Sequence, residues 1–253
     1  MMLVEKGPMR KDHQPARTEL IAPHITRLII LAVGVVLGGA LAIGSARAAA
    51  SLQLVYRISH SVVGDIGSYI CTVEPLTNGG TQVQTREHIN VRVLGLSLYS
   101  MEATDTERWE GNRLTSFDAV SDKANGRVEV KGEAQGTRFI ITSLQGTLTA
   151  AATVHPADPC TGNFLQSTTV LRPDTGELED VRVSGGEATS LILDGTPVPV
   201  RKYNLDGKTR YTVWLDSRNL PVMFVIDDNT GRATFTLAKC VACDATGYRL
   251  GLE

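Results

Sequence analysis

Hydrophobic and polar residues alternate along most of the chain after residue 50, which is the pattern of strands that bury one face. Leu52, Leu54, Tyr56 and Ile58, for example, alternate with a mostly polar set of neighbours. Turn signals recur about every ten residues, as expected for sequential antiparallel hairpins. We therefore predict an all-β protein in which one long, curved antiparallel sheet forms an open or half barrel.

The turn signals consist mainly of glycine beside Asn, Asp, Gln or Ser, the residue types that tight chain reversals favour. They lie at Gly64, Gly79, Gly111, Gly126, Gly136 and Gly146 and, after a loop, at Gly176, Gly185, Gly195, Gly207, Asn219 and Gly231. Because the spacing stays regular on both sides of that loop, we expect one continuous sheet rather than two domains.

The alternation is interrupted at two places. Within residues 89–98 the apolar residues change parity at Leu94. One extra residue beside Gly95 would return both sets to the same face, so we predict a β-bulge or a sharp bend there. Pro197 and Pro199 cannot donate hydrogen bonds to a neighbouring strand, which predicts that their strand lies at an edge or begins late.

A curled sheet that does not close has a concave apolar face, which a helix, a partner or a ligand must cover. No long amphipathic helix is predicted, although residues 163–171 could form a turn or two. Residues 155–162 break the strand rhythm and predict a loop, either a flap over a cavity or a plain connection. The candidate ligand-lining residues are Leu94, Leu96, Leu98, Phe117, Phe139, Ile141, Leu191, Leu193, Trp214 and Phe224. Alternatively, these side chains pack a sandwich core.

The first 48 residues predict a Sec-type export signal. Basic residues precede an uncharged apolar run over residues 28–44, and a small-x-small site ends at Ala48. The run is short for a membrane span. We expect cleavage after about Ala48 and a periplasmic or secreted product, with an uncleaved membrane anchor as the alternative. The domains are then the signal peptide, a curved β-domain over residues 49–239 and a cysteine-containing tail over residues 240–253.

The charge of the chain argues against polyanionic partners. Residues 1–48 hold six of the 25 basic and three of the 27 acidic residues, so the remainder has 19 basic and 24 acidic residues and a net charge of minus five. Its charges are scattered without a basic run, whereas nucleic acids and anionic membranes recruit clustered Lys and Arg. We expect no nucleic-acid partner, and membrane association only transiently or through an uncleaved signal.

All four cysteines, Cys71, Cys160, Cys240 and Cys243, follow the predicted signal. In an oxidising compartment an even number predicts two disulfides, with three pairings open. Among these we expect Cys71 to pair with Cys160 and Cys240 with Cys243. The Cys-x-x-Cys spacing of the last pair could instead serve thiol exchange or zinc binding. Asp244 follows this motif where haem attachment needs a histidine, so c-type haem is excluded.

No catalytic, metal-binding or cofactor-binding constellation is predicted. His60, His88 and His155 occur singly, without the paired spacing of a metal site. The Gly-x-Ser-x-Gly motif of serine hydrolases, phosphate loops, dinucleotide fingerprints and calcium loops are absent from the sequence. We therefore expect a protein that is not an enzyme.

An acidic cluster around residue 109 has a structural and a chemical interpretation. Glu102, Asp105, Glu107 and Glu110 flank Trp109, and paired carboxylates can cleave glycosides. Odd and even positions of a strand point to opposite faces, so Glu102 and Asp105 should not converge. The pattern therefore favours a solvated hairpin over a catalytic pair.

Several segments resemble known exported proteins. Trp214-Leu215-Asp216, Leu220-Pro221-Val222 and residues 227–231 are similar to the closing hairpins of the periplasmic outer-membrane lipoprotein carrier and receptor family, LolA and LolB. Residues 107–114 and 194–203 resemble uncharacterised exported domain families near that superfamily. The resemblance implies a periplasmic half barrel and, from the lipoprotein carriers, a concave face that holds acyl chains.

Together these patterns predict an exported, non-enzymatic binding protein. Its curved sheet would shield a lipophilic ligand or a lipidated partner. A thiol-redox or metal-binding role for Cys240 and Cys243 is one alternative, and a scaffold for envelope protein partners is another. The scaffold is favoured if the chain's own side chains fill the concave face.

Overall fold

A computed structural model describes residues 51–228 and 231–243. The predicted signal peptide lies outside the described residues, as do residues 244–253 of the predicted tail. In the described part no helix is both long and apolar enough to cross a membrane.

Sixteen strands form nearly all of the regular structure. In chain order they are β1 (Leu52–His60), β2 (Gly64–Pro75), β3 (Thr81–Val93), β4 (Leu96–Glu110), β5 (Arg113–Lys123), β6 (Gly126–Gln135), β7 (Arg138–Ser143), β8 (Gly146–Ala151), β9 (His155–Pro156), β10 (Thr169–Leu171), β11 (Leu178–Asp180), β12 (Arg182–Leu193), β13 (Thr196–Asp206), β14 (Arg210–Leu215), β15 (Pro221–Asp228) and β16 (Gly231–Val241).

Thirteen of these strands build one antiparallel sheet in the spatial order β12-β13-β14-β15-β16-β1-β2-β3-β4-β5-β6-β7-β8. Consecutive strands are neighbours throughout, except that β16 pairs with β1 and so joins the two halves of the chain. In the described residues β8 and β12 do not pair with each other, so the sheet stays open. The predictions of an all-β fold and of an open half barrel are confirmed.

The predicted alternation accounts for the core. Leu52, Leu54, Tyr56 and Ile58 of β1 are all buried, and the same parity on the neighbouring strands supplies the rest of the inner face. Because each strand places alternate side chains on that face, the core is a single cluster along the concave side.

The segment between β8 and β12 covers this concave face from inside. It comprises residues 152–181, here called the inner segment, and contains β9, β10 and β11 as a small sheet and a single 3-10 turn at Asn163–Gln166. Residues 154–162 are all buried. Apart from the two-residue strand β9, residues 155–162 form the predicted loop, and this loop packs into the barrel.

Covalent and polar contacts fix the inner segment to the sheet. A disulfide joins Cys160 to Cys71 on the inner face of β2, with a Cα–Cα distance of 5.9 Å and both residues fully buried. The Tyr69 hydroxyl donates a hydrogen bond to Asp158 Oδ1 at 2.5 Å. Further along, Arg172 bonds to Thr209 beside β14. The inner segment is thus attached to both halves of the sheet.

The change of parity at Leu94 has a different cause from the predicted bulge. β3 ends at Val93, Leu94 and Gly95 form a two-residue turn with φ angles of 50° and 84°, and β4 begins at Leu96. Positive φ at both positions is typical of a type I′ hairpin, in which the second position suits glycine. The continuous bent strand predicted over residues 89–98 is therefore a hairpin, and the register shift of this strand pair lies at Val91 and Arg92.

Two local predictions in the second half of the sheet differ from the structure. β13 is not an edge strand, because it lies between β12 and β14. Pro197 and Pro199 nevertheless lie in the part of β13 that pairs with β12 alone, because β14 pairs only with Arg201–Leu205. The turn signal at Gly185 instead marks a register shift inside β12. A glycine pair suits a bulge as well as a turn.

Candidate functional site

The inner segment fills the concave face unevenly, and a cavity of about 630 Å³ remains at one end of the sheet. We call this the hollow end; it lies where β1, β3, β5 and β15 finish and β2, β4, β14 and β16 begin. Residues 157–159 of the inner segment form part of its lining. At the opposite strand ends, here the packed end, buried side chains of the sheet and the inner segment belong to one core cluster.

Apolar side chains make up most of the walls of the cavity. β2 and β3 contribute Ile66, Ile89 and Val91, and the strands from the far end of the chain contribute Phe224 and Phe235. Tyr99 and Asp228 at the rim are exposed, so the cavity reaches solvent there. A lining of this kind can hold a molecule with an apolar body.

Of the ten predicted lining residues, Phe224 lines the cavity and the other nine lie elsewhere. Phe117, Phe139 and Ile141 are fully buried in the core. Leu191 and Leu193 are half-buried on the edge strand β12. The remaining four are exposed or half-buried: Leu94, Leu96 and Leu98 at the β3–β4 hairpin, and Trp214 on β14.

These positions have three physical causes. The β3–β4 turn carries the three leucines beyond the inner face, and Leu94 is 99% exposed. Trp214 has the opposite parity to Tyr211 and Val213, the inward-facing residues of β14, so it lies on the outer face. The phenylalanines of the packed end do face inward, but neighbouring side chains already cover them.

Five carboxyl side chains line the cavity, and three of them form what we call the acid cluster: Glu87 on β3, Asp105 on β4 and Asp158 on the inner segment. The register of β3 against β4 explains why Glu87 and Asp105 lie close together. Thr85 lies opposite Asp105, and Glu87 lies opposite Ala103. Glu87 and Asp105 are therefore diagonal neighbours on one face, which brings their side chains within reach of each other.

The three carboxyls have few hydrogen-bond donors around them. Asp158 Oδ1 accepts bonds from the Tyr69 hydroxyl and, at 2.8 Å, from the backbone N–H of Cys160. Its second oxygen, Oδ2, has no hydrogen-bond partner in the described structure, and neither has the hydroxyl of Ser121, which also lines the cavity. Polar atoms buried in this way are uncommon and call for an explanation.

Burial and mutual repulsion favour the protonated form of the acid cluster. Burial raises the pKa of Glu87 from 4.5 to about 7, and the charge of Asp158 acts in the same direction. Burial likewise raises the pKa of Asp105 well above its usual value, with Asp158 and Glu87 adding to the shift. The pKa of Asp158 is raised by burial against the opposing hydrogen bonds from Tyr69 and Cys160.

A pair of basic side chains at the same cavity is already engaged. Arg172 Nε and Nη2 donate to the two oxygens of Asp174 at 3.0 and 3.1 Å. Lys123 Nζ lies 3.7 Å from Asp174 Oδ2, and Arg172 Nη1 lies 3.5 Å from Glu179 Oε2. These cations therefore neutralise carboxylates of the inner segment and form no ion pair with the acid cluster.

The prediction of a solvated acidic hairpin is wrong for half of its members. Glu102 and Glu110 are exposed, and Glu102 faces away from Asp105 as predicted. Asp105 is half-buried on the inner face, and Glu107 is fully buried, where its Oε2 accepts a hydrogen bond from the Trp109 indole N–H at 2.8 Å. Odd positions of β4 face inward, so carboxyls of that parity enter the barrel.

The histidines lie apart from one another. His155 is buried beside Trp109 and hydrogen-bonded to Ser167 at 2.8 Å, His88 contacts Glu102 on the outer face, and His60 lines the cavity. Throughout residues 51–228 and 231–243, no group of three or more His, Cys, Asp or Glu residues is arranged to hold a metal ion.

The remaining cysteines form the predicted second disulfide, Cys240 with Cys243, at a Cα–Cα distance of 5.8 Å. Both predicted pairings are thus observed. Cys240 lies within β16, so the last strand continues into the region predicted as a tail. A redox role for this pair stays a prediction.

The acid cluster was missed by the sequence analysis, although one signal for part of it exists. Glu87 and Asp105 share the parity of the inward-facing residues of their strands, such as Val83 and Ala103, so strict alternation would have placed both inside. Asp158 has no comparable signal, because it lies in an irregular segment whose burial depends on the whole fold.

Comparison with protein families gives the chain its relationship. The model of a family described as Domain of unknown function (DUF6134) matches residues 63–238, which contain every strand from β2 to β15. The chain belongs to the DUF6134 family. No curated protein matches the sequence significantly.

Solved structures support the architecture of this DUF6134 member. It is similar to a beta-barrel-like protein of domain of unknown function DUF1849 from Brucella abortus, with a TM-score of 0.58 and 11% identity over 76% of this chain and 97% of that chain. The MucA/MucB complex of Pseudomonas aeruginosa matches with a TM-score of only 0.17, at 11% identity over 74% of this chain and 86% of that chain, too low to bear on the fold. The barrel-like fold is supported, and the resemblance to LolA and LolB stays a prediction.

Proposed function

We propose that this protein is an exported, non-enzymatic binding protein that holds a lipophilic molecule, or the acyl chain of a lipidated partner, at the hollow end. The observation that carries this proposal is the cavity of about 630 Å³, which the inner segment leaves open between largely apolar walls. Small-molecule sites typically enclose about 300–1,000 Å³ and combine apolar walls with a few polar groups.

The direction of the pKa shifts in the acid cluster favours binding over catalysis. Acid–base enzymes place two titrating groups in environments that move their pKa values apart. In the acid cluster burial raises the pKa of Glu87, Asp105 and Asp158 alike. Such a set supplies no separate acid and base, whereas it can contribute polar contacts to a bound molecule.

Export is part of the same proposal and rests on the basic leader, the apolar run and the site at Ala48. Two disulfides are consistent with an oxidising compartment. N-terminal sequencing of the protein from its own envelope fraction should find a chain that begins near Ala49. A chain that retains the leader would instead support the membrane-anchor alternative.

Ligand binding is tested with protein purified from its own cells. We expect mass spectrometry of an organic-solvent extract to find lipophilic molecules, and the emptied protein to bind the hydrophobic dye anilinonaphthalene sulfonate. Ala103 lines the cavity, so Ala103→Leu should weaken dye binding several-fold. Ala188→Leu, on an exposed position of β12, is the matched control and should leave dye binding unchanged. A protein with neither extractable lipid nor dye binding contradicts the proposal.

A further inference from the structure

Negative charge exceeds positive charge at the hollow end. The described lining residues include two basic side chains, Lys123 and Arg172. They also include five carboxyl side chains: Glu87, Asp105, Asp158, Asp174 and Asp228. If all of these were ionised, the lining would carry a net negative charge.

The excess of negative charge is concentrated in the acid cluster. Both basic side chains contact Asp174, and Arg172 also contacts Glu179. In the described chain, Glu87, Asp105 and Asp158 form no ion pair. A buried carboxyl without a cation is stable only when protonated or when a ligand supplies the positive charge.

A second observation at the same place does not depend on the number of acids. Ser121 is 4% exposed and Asp158 is 8% exposed, and both line the cavity. The Ser121 hydroxyl and Asp158 Oδ2 are buried without hydrogen-bond partners in the described structure. By strand register Ser121 lies opposite Ala103, which lies opposite Glu87, so the hydroxyl belongs to the same part of the wall.

We propose that the hollow end binds a ligand with an apolar body and a protonated amine head, whose ammonium group lies among Glu87, Asp105 and Asp158. This inference rests on the proposed function, because the apolar body would occupy the same cavity. An ammonium group has three donors and no acceptor, so it matches a site made of acceptor oxygens. It also needs less convergent geometry than a metal ion, for which the described residues offer no cluster.

Binding of an ammonium group exchanges protons with solvent. The ligand enters already protonated, since an alkylamine has a pKa near about 10. A protonated carboxyl of the acid cluster that ionises against the ammonium group releases its proton to solvent. Below neutral pH the ligand must displace more protons, so its affinity rises as the pH increases towards 8.

Burial raises the pKa of the lining tyrosines Tyr69, Tyr99 and Tyr211. The remaining ionisable groups that face the site come from four elements. Lys123 and Arg172 are both paired with Asp174. Asp228 lines the rim on β15. His60 on β1 also lines the cavity, and a positive charge on its ring would repel the ammonium group. Measurement of the pH dependence in Glu87→Gln and in His60→Gln separates these contributions.

The experiment is isothermal titration calorimetry at pH 8 with three probes that share one chain length: decylamine, decanol and decanoate. We expect decylamine to bind at least about tenfold more tightly than decanol, as for a hydrogen bond to a charged group, and decanoate to bind most weakly. Buffers of different ionisation enthalpy should show proton release on decylamine binding at pH 6.5.

Variants locate the amine head. The double substitution Glu87→Gln/Asp105→Asn should weaken decylamine binding about tenfold or more while decanol affinity changes little. Glu133→Gln, on an exposed position of β6, is the control and should change neither affinity. If the double variant fails to fold, Asp158→Asn replaces it, and the relative affinities for decylamine and decanol are compared in the same way. The three probes and the pH series with the wild-type protein test the inference without any variant.

The outcomes separate the two proposals. Equal or tighter binding of decanol or decanoate than of decylamine would overturn the amine inference and leave the lipophilic cavity in place. Absence of binding by all three probes would count against the proposed function itself. Decylamine binding that does not depend on pH or on the acid cluster would also overturn the inference.

Discussion

The two ends of the concave face are built from the same strands but are filled in different ways. At the packed end Val83, Trp109 and Phe117 belong to a closed core that includes the inner segment. Four to six residues away on β3, β4 and β5, the same inward parity presents Glu87, Ala103 and Ser121 to a cavity. The alternation is equal at both ends, so strand pattern alone does not determine whether a barrel is solid or hollow.

The difference arises from how far the inner segment reaches. At the packed end His155 packs against Trp109 with ring centroids 5.1 Å apart. At the hollow end residues 157–159 form a lining and leave space above it. The carboxyls follow the same division: Glu107 at the packed end has the Trp109 donor, whereas the acid cluster has few protein donors.

The largest expected effect comes from release of the inner segment. Cys71→Ser/Cys160→Ser should lower the free energy of unfolding by about 4–5 kcal/mol, because this disulfide closes a loop with a sequence separation of 89 residues. Urea denaturation measures the loss. Without this disulfide the inner segment can also leave the packed end, so the two ends of the concave face should become more alike.

The second disulfide provides the control. Cys240→Ser/Cys243→Ser opens a loop with a sequence separation of only 3, for which the same chain-entropy relation gives about 2 kcal/mol. If the two double variants lose equal stability, the Cys71–Cys160 bond does not fix the inner segment in the way that we describe.

Truncation of one isoleucine at each end tests the packing difference directly. Ile141 is fully buried, so Ile141→Ala should cost about 3–4 kcal/mol. Ile89 lines the cavity and is only half-buried, so Ile89→Ala should cost about 1–2 kcal/mol. Both losses are measured by urea denaturation. Equal costs would mean that the hollow end is as tightly packed as the rest of the core.

Features of this architecture that depend on local interactions could be predicted from the sequence, and features that depend on contacts between distant residues could not. Alternation and turn residues are local, so the strands, the open antiparallel sheet and most hairpins were predicted. The cover of the concave face was not, because residues 155–162 resemble a surface loop in composition. Their burial depends on contacts with β2, β4 and β14, which are far away in sequence.

The site shows the same limit in individual residues. Phe224 was predicted to line the cavity and does so, since its parity faces inward at the hollow end. Phe139 also faces inward, but the packing at its end leaves no space beside it. Leu94 was placed inside because a two-residue turn and a bulge produce the same change of phase in a sequence. Side-chain direction was therefore easier to predict than the shape of the space it meets.

The acid cluster should make stability depend on pH at the hollow end. The pKa of Glu87 is about 7 in the folded protein and 4.5 as its usual value, so the folded state binds more protons between these pH values. The free energy of unfolding should therefore be highest below pH 4.5 and fall as the pH rises to 7, by at most about 3 kcal/mol for this group.

Glu87→Gln removes this proton uptake, so the variant should lose less stability than the wild type between pH 4.5 and 7. Urea denaturation at a series of pH values measures both slopes. Glu133→Gln, which changes an exposed carboxyl on β6, should keep the wild-type slope. A Glu87→Gln slope equal to the wild-type slope would show that the carboxyl is not desolvated.

The smallest effects come from adding atoms at each end, and they distinguish a tight core from an empty site most sharply. A Cβ at Gly132 would overlap the ring of Phe139, so Gly132→Ala should cost about 1–3 kcal/mol. Ala103 faces the cavity, and Ala103→Leu should change stability by less than about 1 kcal/mol while it reduces the space for dye. Thermal unfolding and dye titration of the two variants provide the measurements. A large loss of stability in Ala103→Leu would mean that the space beside it is filled, and the distinction between the two ends would then fail.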